Sequence, residues 1–275
     1  MNTKDIKLIA MDMDGTLLNE NKEISKESRE ALKEAVSSGI SIAICSGRSS
    51  GDNSIYAVKA GLTQCYIIGY NGAYCLDAPH GKVYSQHFLN RDAALACLKV
   101  LDQHGVSYAC FQPHRILAVE NERWPAEKGW VTYRDEPGAP QVCKGHAEVK
   151  RAHGEGINKI LCVERHEEKL LKELYHKLLP IPGIDVTCSW TNNLELMPAG
   201  VNKGTALGEL ANRLGLLPEN VMALGDFDND IPMFLYAGCS VAMGNASERL
   251  KKVARFHTAT NAREGVALAI RQYAL

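Results

Sequence analysis

The sequence of 275 residues lacks several features that define large protein classes. It has no CxxC pair, no GxGxxG element and no block of Lys or Arg. Without CxxC the common zinc and thiol redox motifs are excluded, and without GxGxxG a dinucleotide site loses its main support. Binding to a polyanion needs concentrated positive charge, but 31 basic residues here nearly balance 32 acidic ones. We therefore expect neither nucleic acid nor an anionic membrane as the main partner.

Long apolar runs are also missing. No run approaches the roughly 20 residues that span a bilayer, and residues 1–5 lack the apolar stretch of a signal peptide. The nine cysteines are spaced at least ten positions apart. Several of them lie inside apolar runs, which is typical of reduced, buried thiols. The sequence predicts a cytoplasmic protein.

Both ends of the chain alternate apolar runs with helical patterns. The runs at 6–11, 40–45, 65–70, 221–224 and 239–243 predict buried strands, and segments such as 28–38 and 207–214 predict helices. This order is typical of the α/β class, and we expect a Rossmann-like parallel sheet with helices on both faces.

The middle of the chain has a different composition, with eight of the nine histidines and all three tryptophans. Its clearest patterns predict helices at 92–103 and 167–179 and strands at 106–111 and 157–163. We therefore expect an inserted α+β domain over 79–189. The core domain would then be assembled from 1–78 and 190–275, because neither end alone has enough strands.

Two aspartates follow the first predicted strand, in Asp12-Met-Asp14-Gly15-Thr16. Residues two apart in a strand point to the same side, so Asp12 and Asp14 can converge at the carboxyl edge of the sheet. Open α/β sheets bind their ligands at that edge. A polar turn is the alternative, because Asp and Gly are common in turns. Gly15 is fourth in the segment, whereas an EF-hand loop needs Gly in sixth position.

A denser acidic segment, Gly225-Asp-Phe-Asp-Asn-Asp230, follows the strand predicted at 221–224. Its three aspartates repel one another and favour a bound cation, and hard oxygen ligands suit Mg²⁺ or Ca²⁺. Ile231 and Ala237 stand where an EF-hand requires Gly and a bidentate Glu, so Mg²⁺ is the better prediction. The alternative is a helix N-cap with acidic residues in the first turn.

Lys203 lies at the predicted start of a helix. A cation is unfavourable there unless an anion shares the site; the alternative is an ordinary surface lysine.

Ser46, Gly47 and Arg48 follow the second predicted strand. The hydroxyl and backbone N–H of Ser46 could bind an anion, and Gly47 allows close approach, although Ser-Gly is also a common turn and Arg48 could simply pair with a carboxylate.

Taken together, these four segments resemble the four motifs of the haloacid dehalogenase superfamily of phosphatases, in the same order. Ser46 stands where Thr is commoner, and it keeps the hydroxyl. The position of the insertion also resembles the Cof-type branch, which carries a large α/β cap. The segments that carry this second resemblance are Tyr70-Asn-Gly-Ala73, Val201-Asn-Lys203-Gly, Val241-Ala-Met-Gly-Asn245-Ala and Glu264-Gly-Val266. The cap itself is recognised by its placement only.

The resemblance implies a role for each motif residue. Asp12 would attack phosphorus and form an aspartyl-phosphate, and Asp14 would act as general acid and then as general base. Mg²⁺ would be held by Asp12, the backbone carbonyl of Asp14, Asp226 and Asp230. Phosphate contacts are expected from Ser46, Gly47, Lys203 and Asn229, and substrate contacts from Arg48, Asn71 and Asn193.

The implied function is Mg²⁺-dependent hydrolysis of small phosphorylated metabolites, sugar phosphates first and phosphorylated cofactors second. A phosphotransferase or phosphomutase stays open, as does a non-catalytic sensor or receiver-like module. The acid/base Asp14 favours turnover over mere binding. We expect a monomer or homodimer. Leaving-group contacts from the cap, or simple packing there, would involve His114, Arg115, Trp124, Trp130 and Trp190.

Overall fold

A computed structural model describes residues 5–48, 50–62, 64–78, 80–113, 115–119, 141–143, 145–152, 156–164, 167–188 and 192–275. The chain divides into two compact units, Met1–Gln86 with Asn202–Leu275, and His87–Val201. Within the described ranges, no helix is both long and apolar enough to cross a bilayer.

The secondary structure follows the predicted order closely. The described strands are β1 (Leu8–Met11), β2 (Ser41–Cys45), β3 (Tyr66–Gly69), β4 (Tyr74–Asp77), β5 (Lys82–Gln86), β6 (Ser107–Phe111), β7 (Ile116–Val119), β8 (Gln141–Cys143), β9 (Lys159–Val163), β10 (Ile184–Thr187), β11 (Asn193–Pro198), β12 (Val221–Gly225), β13 (Cys239–Ala242) and β14 (Phe256–His257). The described α-helices are α1 (Lys26–Ser37), α2 (Ser50–Lys59), α3 (Arg91–Gln103), α4 (His146–Ala152), α5 (Glu168–Leu178), α6 (Lys203–Arg213), α7 (Ile231–Tyr236), α8 (Glu248–Val253) and α9 (Gly265–Tyr273).

The first unit is built on one sheet. Its described strands lie in the order β14-β13-β12-β1-β2-β3-β4-β5. The strands from β14 to β3 are parallel, whereas β4 and β5 are antiparallel to their neighbours. The predicted α/β class is confirmed. The antiparallel edge was not predicted; it arises because short connections join β3, β4 and β5, and short connections suit antiparallel pairs.

The central strands of this sheet are buried on both faces. Every residue of β1 and β12 is buried, because helices cover both sides of the sheet. Helix α1 packs against α9, and α6 packs against α7. Continuous apolar runs are typical of parallel strands covered in this way.

Helix α6 begins where its sequence provides a cap. The side chain of Asn202 accepts hydrogen bonds from the backbone N–H groups of Gly204 and Thr205, both at 3.0 Å. The Thr205 hydroxyl in turn accepts from the Asn202 N–H at 3.0 Å. This reciprocal capping box fixes the start of the helix, and it therefore fixes Lys203 as the first helical residue.

The second unit has a separate sheet and a separate apolar core. Its described strands lie in the order β10-β11-β9-β6-β7-β8, and all pairs are antiparallel except β7 with β8. Helix α3 packs against α4 and α5, with Leu98 and Leu174 fully buried in the core. The α+β composition predicted for the middle of the chain is confirmed.

The limits of the units differ from the predicted boundaries after 78 and before 190. The units change at Gln86/His87 and Val201/Asn202. The reason is main-chain pairing: β5 extends the first unit's sheet through β4, and β11 pairs with β9 and β10 in the second unit. Asn193, predicted to lie in the core domain, consequently belongs to the second unit. The role of that unit as a cap stays a prediction.

Candidate active site

The carboxyl ends of four adjacent strands bring polar residues to one edge of the first unit. Strands β12, β1, β2 and β3 lie side by side and are parallel. Their ends are followed by Asp226, Asp12, Ser46 and Asn71, respectively. The predicted strand ends thus meet at one edge of the sheet. The side chain of Asp14, which was predicted to converge with that of Asp12, contacts Lys22 and Arg48 instead.

Lys203 is the buried centre of this edge. Its side chain is 0% exposed, and its Nζ donates to Asp12 Oδ1 at 2.5 Å and to Asp230 Oδ1 at 2.6 Å. Burial alone would lower the pKa of Lys203, but the two carboxylates outweigh it and raise that pKa. The lysine is therefore a fixed buried cation, and the alternative of a surface lysine is excluded.

Three carboxylates surround a position suited to a metal ion. Asp12, Asp226 and Asp230 each present an oxygen, and the three oxygens lie within 4.8 Å of one another. With Lys203 the local formal charge is -2, from three carboxylates and one ammonium group. A divalent cation would neutralise this charge, and hard oxygen donors suit Mg²⁺ or Ca²⁺. The donor set therefore fits a divalent metal.

The acidity of these carboxyls supports the same conclusion. Burial, together with the charge of Asp230, raises the pKa of Asp226 from 3.8 to about 7. Burial also raises the pKa of Asp12 well above its ordinary value, against the attraction of Lys203. Without a cation, protons are thus drawn to the cluster to relieve its negative charge.

The hydrogen bonds distinguish the three carboxylates. Asp230 uses both oxygens, because Oδ1 accepts from Lys203 and Oδ2 accepts from the N–H groups of Asp226 and Phe227 at 2.9 and 3.1 Å. Asp226 Oδ1 accepts from the Thr16 hydroxyl at 2.7 Å. Within the described part of the chain, Oδ2 of Asp12 and Oδ2 of Asp226 accept no hydrogen bond. These two oxygens are the most available to a cation, and Asp230 mainly holds its neighbours in place.

Gly15 leaves the space that the cluster occupies. Its φ is +82°, and a Cβ at this position would lie 2.3 Å from Asp226 Oδ2. Both the backbone conformation and the close approach require glycine. The Gly in the first motif thus has a local physical reason.

Asp14 faces two cations instead of the carboxylate cluster. The guanidinium of Arg48 donates from Nε to Asp14 Oδ2 at 2.7 Å and from Nη2 to Oδ1 at 2.6 Å. Lys22 Nζ donates to Asp14 Oδ1 at 2.8 Å. Burial raises the pKa of Asp14, but these hydrogen bonds outweigh it and lower that pKa below its ordinary value. The alternative for Arg48, pairing with a carboxylate, is therefore present, and its substrate contact stays a prediction.

One prediction for Ser46 was wrong. Its backbone N–H donates to the carbonyl of Ile68 at 2.8 Å, because the ladder between β2 and β3 extends one residue past the strand, so this N–H does not serve an anion. The hydroxyl accepts from the Arg48 N–H at 3.1 Å and keeps its own proton as a donor. The role of Gly47 stays a prediction.

Asn71 and Asn229 lie together at the same edge. Asn229 Nδ2 donates to Asn71 Oδ1 at 3.3 Å, and Asn71 adopts a left-handed conformation with φ +53°. Asn193 is buried in the second unit, where it begins β11 opposite Val163. Its predicted substrate contact stays a prediction.

A family model described as haloacid dehalogenase-like hydrolase matches residues 9–270. The chain belongs to the haloacid dehalogenase-like hydrolases. The resemblance drawn from the four motifs is thus confirmed.

Named relatives of this hydrolase match along nearly its whole length. It is 31% identical over 271 residues to the 5-amino-6-(5-phospho-D-ribitylamino)uracil phosphatase YcsE of Bacillus subtilis, covering 98% of this chain and 97% of that protein. It is 30% identical over 256 residues to the HMP-PP phosphatase of Serratia proteamaculans, covering 90% and 87%. A solved haloacid dehalogenase-like hydrolase from B. subtilis superposes with a TM-score of 0.85 at 28% identity, covering 97% and 99% of the two chains.

Sequence reasoning assigned no role to several residues that support the site of this hydrolase. Asn245 Nδ2 donates to the Gly15 carbonyl at 2.8 Å, and Asn261 Nδ2 donates to the Leu18 carbonyl at 2.8 Å. Together they hold the loop that carries Thr16. The signal available in the sequence is the resemblance of the segment around Asn245 to the Cof-type branch.

Asp228 does not join the cluster, although its segment predicted three aspartates around a cation. Its carboxylate accepts from the Ser247 hydroxyl at 2.7 Å and from Arg249 Nη1 at 2.6 Å.

Among the predicted cap residues, Arg115 lies in the second unit, where its Nε donates to Gln112 Oε1 at 2.7 Å. The other cap candidates, His114, Trp124, Trp130 and Trp190, lie outside the described residues.

Proposed function

We propose that this hydrolase is a Mg²⁺-dependent phosphatase that cleaves small phosphorylated metabolites through an aspartyl-phosphate on Asp12. The observation that carries the proposal is the buried ion pair between Lys203 and Asp12, inside a carboxylate cluster whose charge a divalent cation would neutralise. Membership of the hydrolase family and the phosphatase names of its relatives support it.

In the first step, an oxygen of Asp12 attacks phosphorus and the bond from phosphorus to the leaving-group oxygen breaks. Lys203 donates to Oδ1 of Asp12 and so orients the carboxylate. When bound by Asp12, Asp226 and the backbone carbonyl of Asp14, a divalent cation supplies charge neutralisation for the phosphoryl oxygens. The Ser46 hydroxyl and Asn229 supply further phosphate contacts.

Asp14 moves the protons. Its contacts with Arg48 and Lys22 lower its pKa, so it takes up a proton only when these contacts open. It then gives this proton to the departing alkoxide, and later takes one from the water that opens the acyl phosphate and releases inorganic phosphate and the carboxylate of Asp12. General acid–base help of this kind is worth roughly 10² to 10⁴ in rate. An acid/base carboxylate at this position favours transfer to water over a lasting phosphoenzyme.

The substrate class that we propose is phosphorylated sugars and sugar alcohols. The name of the B. subtilis relative YcsE describes a phosphorylated ribityl chain, and two further B. subtilis relatives, at 32% and 29% identity, carry the same activity in their names. Phosphorylated cofactors are the second class.

The test is a phosphate-release screen over a broad panel of phosphomonoesters with Mg²⁺ and no added phosphoryl acceptor. Asp12→Asn keeps the shape and hydrogen-bond acceptor of the side chain but removes the nucleophile, and we expect it to abolish release. Asp92→Asn makes the same change at an exposed position and serves as the matched control. Circular dichroism and melting of both variants show that folding is retained.

Each outcome has a defined meaning. Release by the wild type and by Asp92→Asn, but not by Asp12→Asn, supports the proposal. Turnover by Asp12→Asn would remove the nucleophile assignment. Release that requires a second hydroxyl compound would favour the phosphotransferase, and binding without release would favour the sensor.

A further inference from the structure

Two cations contact one carboxylate on the solvent side of the site. Lys22 and Arg48 both direct their ion pairs to the single carboxylate of Asp14, at 2.8 and 2.6 Å. Among the described residues, neither cation forms an ion pair with another carboxylate. These three side chains together carry a net charge of +1, from two cations and one carboxylate.

Lys22 occupies a backbone position that disfavours lysine. Its φ is +59°, a region that glycine and asparagine enter more readily. A turn holds it there, since Lys22 N–H donates to the Asn19 carbonyl at 3.0 Å and the Asn19 side chain accepts from the Glu23 N–H at 2.9 Å. A strained backbone with a side chain directed at a functional carboxylate indicates a role for that side chain.

Arg48 is held from two sides. Its guanidinium lies 5.7 Å from the centre of the Tyr56 ring and forms a two-pronged contact with Asp14. Asp14 therefore has three donors on its two oxygens. In the proposed reaction Asp14 must contact the leaving-group oxygen, so at least one of these contacts has to open. The cation released by that opening is then available to another anion.

We propose that Lys22 and Arg48 form a recognition site for a second acidic group, carried by the leaving group of the substrate. A carboxylate or a second phosphate matches the fork of Arg48 and the point charge of Lys22. This inference rests on the proposed function and narrows its substrate class to sugar phosphates that carry another acidic group.

The experiment compares kcat/KM for matched substrates in the presence of Mg²⁺. Glucose 6-phosphate is paired with 6-phosphogluconate, which adds a carboxylate, and fructose 6-phosphate is paired with fructose 1,6-bisphosphate, which adds a phosphate. We expect the wild type to favour the more acidic member of at least one pair by about tenfold, the size of one charge-assisted contact. The two pairs show which acidic group is recognised.

Three variants isolate the side chain of Lys22. Lys22→Gly removes the charge and suits the left-handed backbone, so impaired folding would not explain its effect. We expect it to reduce the preference to near unity, whereas Lys22→Arg retains the preference. Lys26→Met removes an exposed lysine from the same region and serves as the control. A purely structural role of Lys22 would change both members of a pair equally.

Binding to the Asp12→Asn protein, measured by calorimetry, separates this inference from the proposed function. Tighter binding of the more acidic member, lost in Asp12→Asn with Lys22→Gly, supports the recognition site even if no phosphomonoester is hydrolysed. Hydrolysis with no acidic preference in either pair would overturn the inference and leave the phosphatase intact. A preference that persists unchanged in Lys22→Gly would overturn it as well.

Discussion

A proton and a divalent cation compete for Asp226. Burial and the charge of Asp230 raise the pKa of Asp226 to about 7, and Asp226 Oδ2 is one of the two oxygens most available to a metal. A metal ion needs the ionised carboxylate, so it must displace the proton at lower pH. We predict that lowering the pH from about 8 to about 6 weakens Mg²⁺ binding, because protonation of this site rises steeply over that interval.

The size of the effect follows from the titration of one group. With a pKa of about 7, the carboxyl is protonated in about 9% of molecules at pH 8 and about 91% at pH 6. The apparent Kd for Mg²⁺ should then rise about tenfold, and binding should release about 0.9 proton at pH 6 but only about 0.1 at pH 8. The raised pKa of Asp12 acts in the same direction.

Isothermal titration calorimetry measures both quantities. Each titration with Mg²⁺ is repeated in two buffers of different ionisation enthalpy, since the difference in observed heat gives the number of protons released. The Asp226→Asn variant, which cannot titrate at this position, should bind weakly and lose the steep dependence on pH. Equal Kd values for the wild type at both pH values, with no proton release, would refute the electrostatic argument for the cluster.

Three further predictions test the same cluster. Without divalent cation the folded state holds a proton on Asp226 more tightly than the unfolded state does. The contribution of this group to the free energy of unfolding is therefore greatest at low pH and is lost as the pH rises from 3.8 through about 7. In urea unfolding, the difference between the wild type and Asp226→Asn should fall with a slope of at most about 1.4 kcal/mol per pH unit, and a rise in this difference would contradict the prediction. Lys203→Met leaves the carboxylates of Asp12 and Asp230 buried without their cation. It should lower the free energy of unfolding in urea by about 3 to 5 kcal/mol, and a decrease below about 1 kcal/mol would argue against the ion pair. Gly15→Ala should lower the free energy of unfolding by at least about 1 to 2 kcal/mol, because of the positive φ at this position. The added methyl group should also displace Asp226. A variant that binds Mg²⁺ as tightly as the wild type in calorimetry would disprove the close approach.

Much of the site could be predicted because apolar runs mark strands, and strand order decides which ends meet. The runs that became β1, β2 and β12 end at Asp12, Ser46 and Asp226, so a parallel sheet places these residues at one edge. Lys203 was predictable for a different reason. A lysine at the positive end of a helix is unfavourable alone, and the two carboxylates beside it resolve that conflict.

Other features depend on side-chain direction or main-chain pairing, which periodicity does not specify. Asp228 is one residue from Asn229 and two from Asp230, yet its carboxylate contacts Ser247 and Arg249 instead of the cluster. Lys22 reaches Asp14 because a turn reverses the chain between them, and the sequence carries no apolar pattern there. The unit boundaries likewise follow from strand pairing beyond the predicted segments.

The buried position of Lys203 matters most once the charge on Asp12 changes. Before attack, Lys203 balances one of three carboxylates in a region that water does not screen. In the proposed aspartyl-phosphate, Asp12 no longer carries a carboxylate charge, and the transferred phosphoryl group brings negative oxygens to the same place. Asp230 keeps Lys203 ionised and in position throughout, because its Oδ1 still accepts from Nζ and its Oδ2 is fixed by two backbone N–H groups. The lysine can therefore pass from carboxylate to phosphoryl oxygen without a large movement, which is the preorganised electrostatic stabilisation that phosphoryl transfer requires.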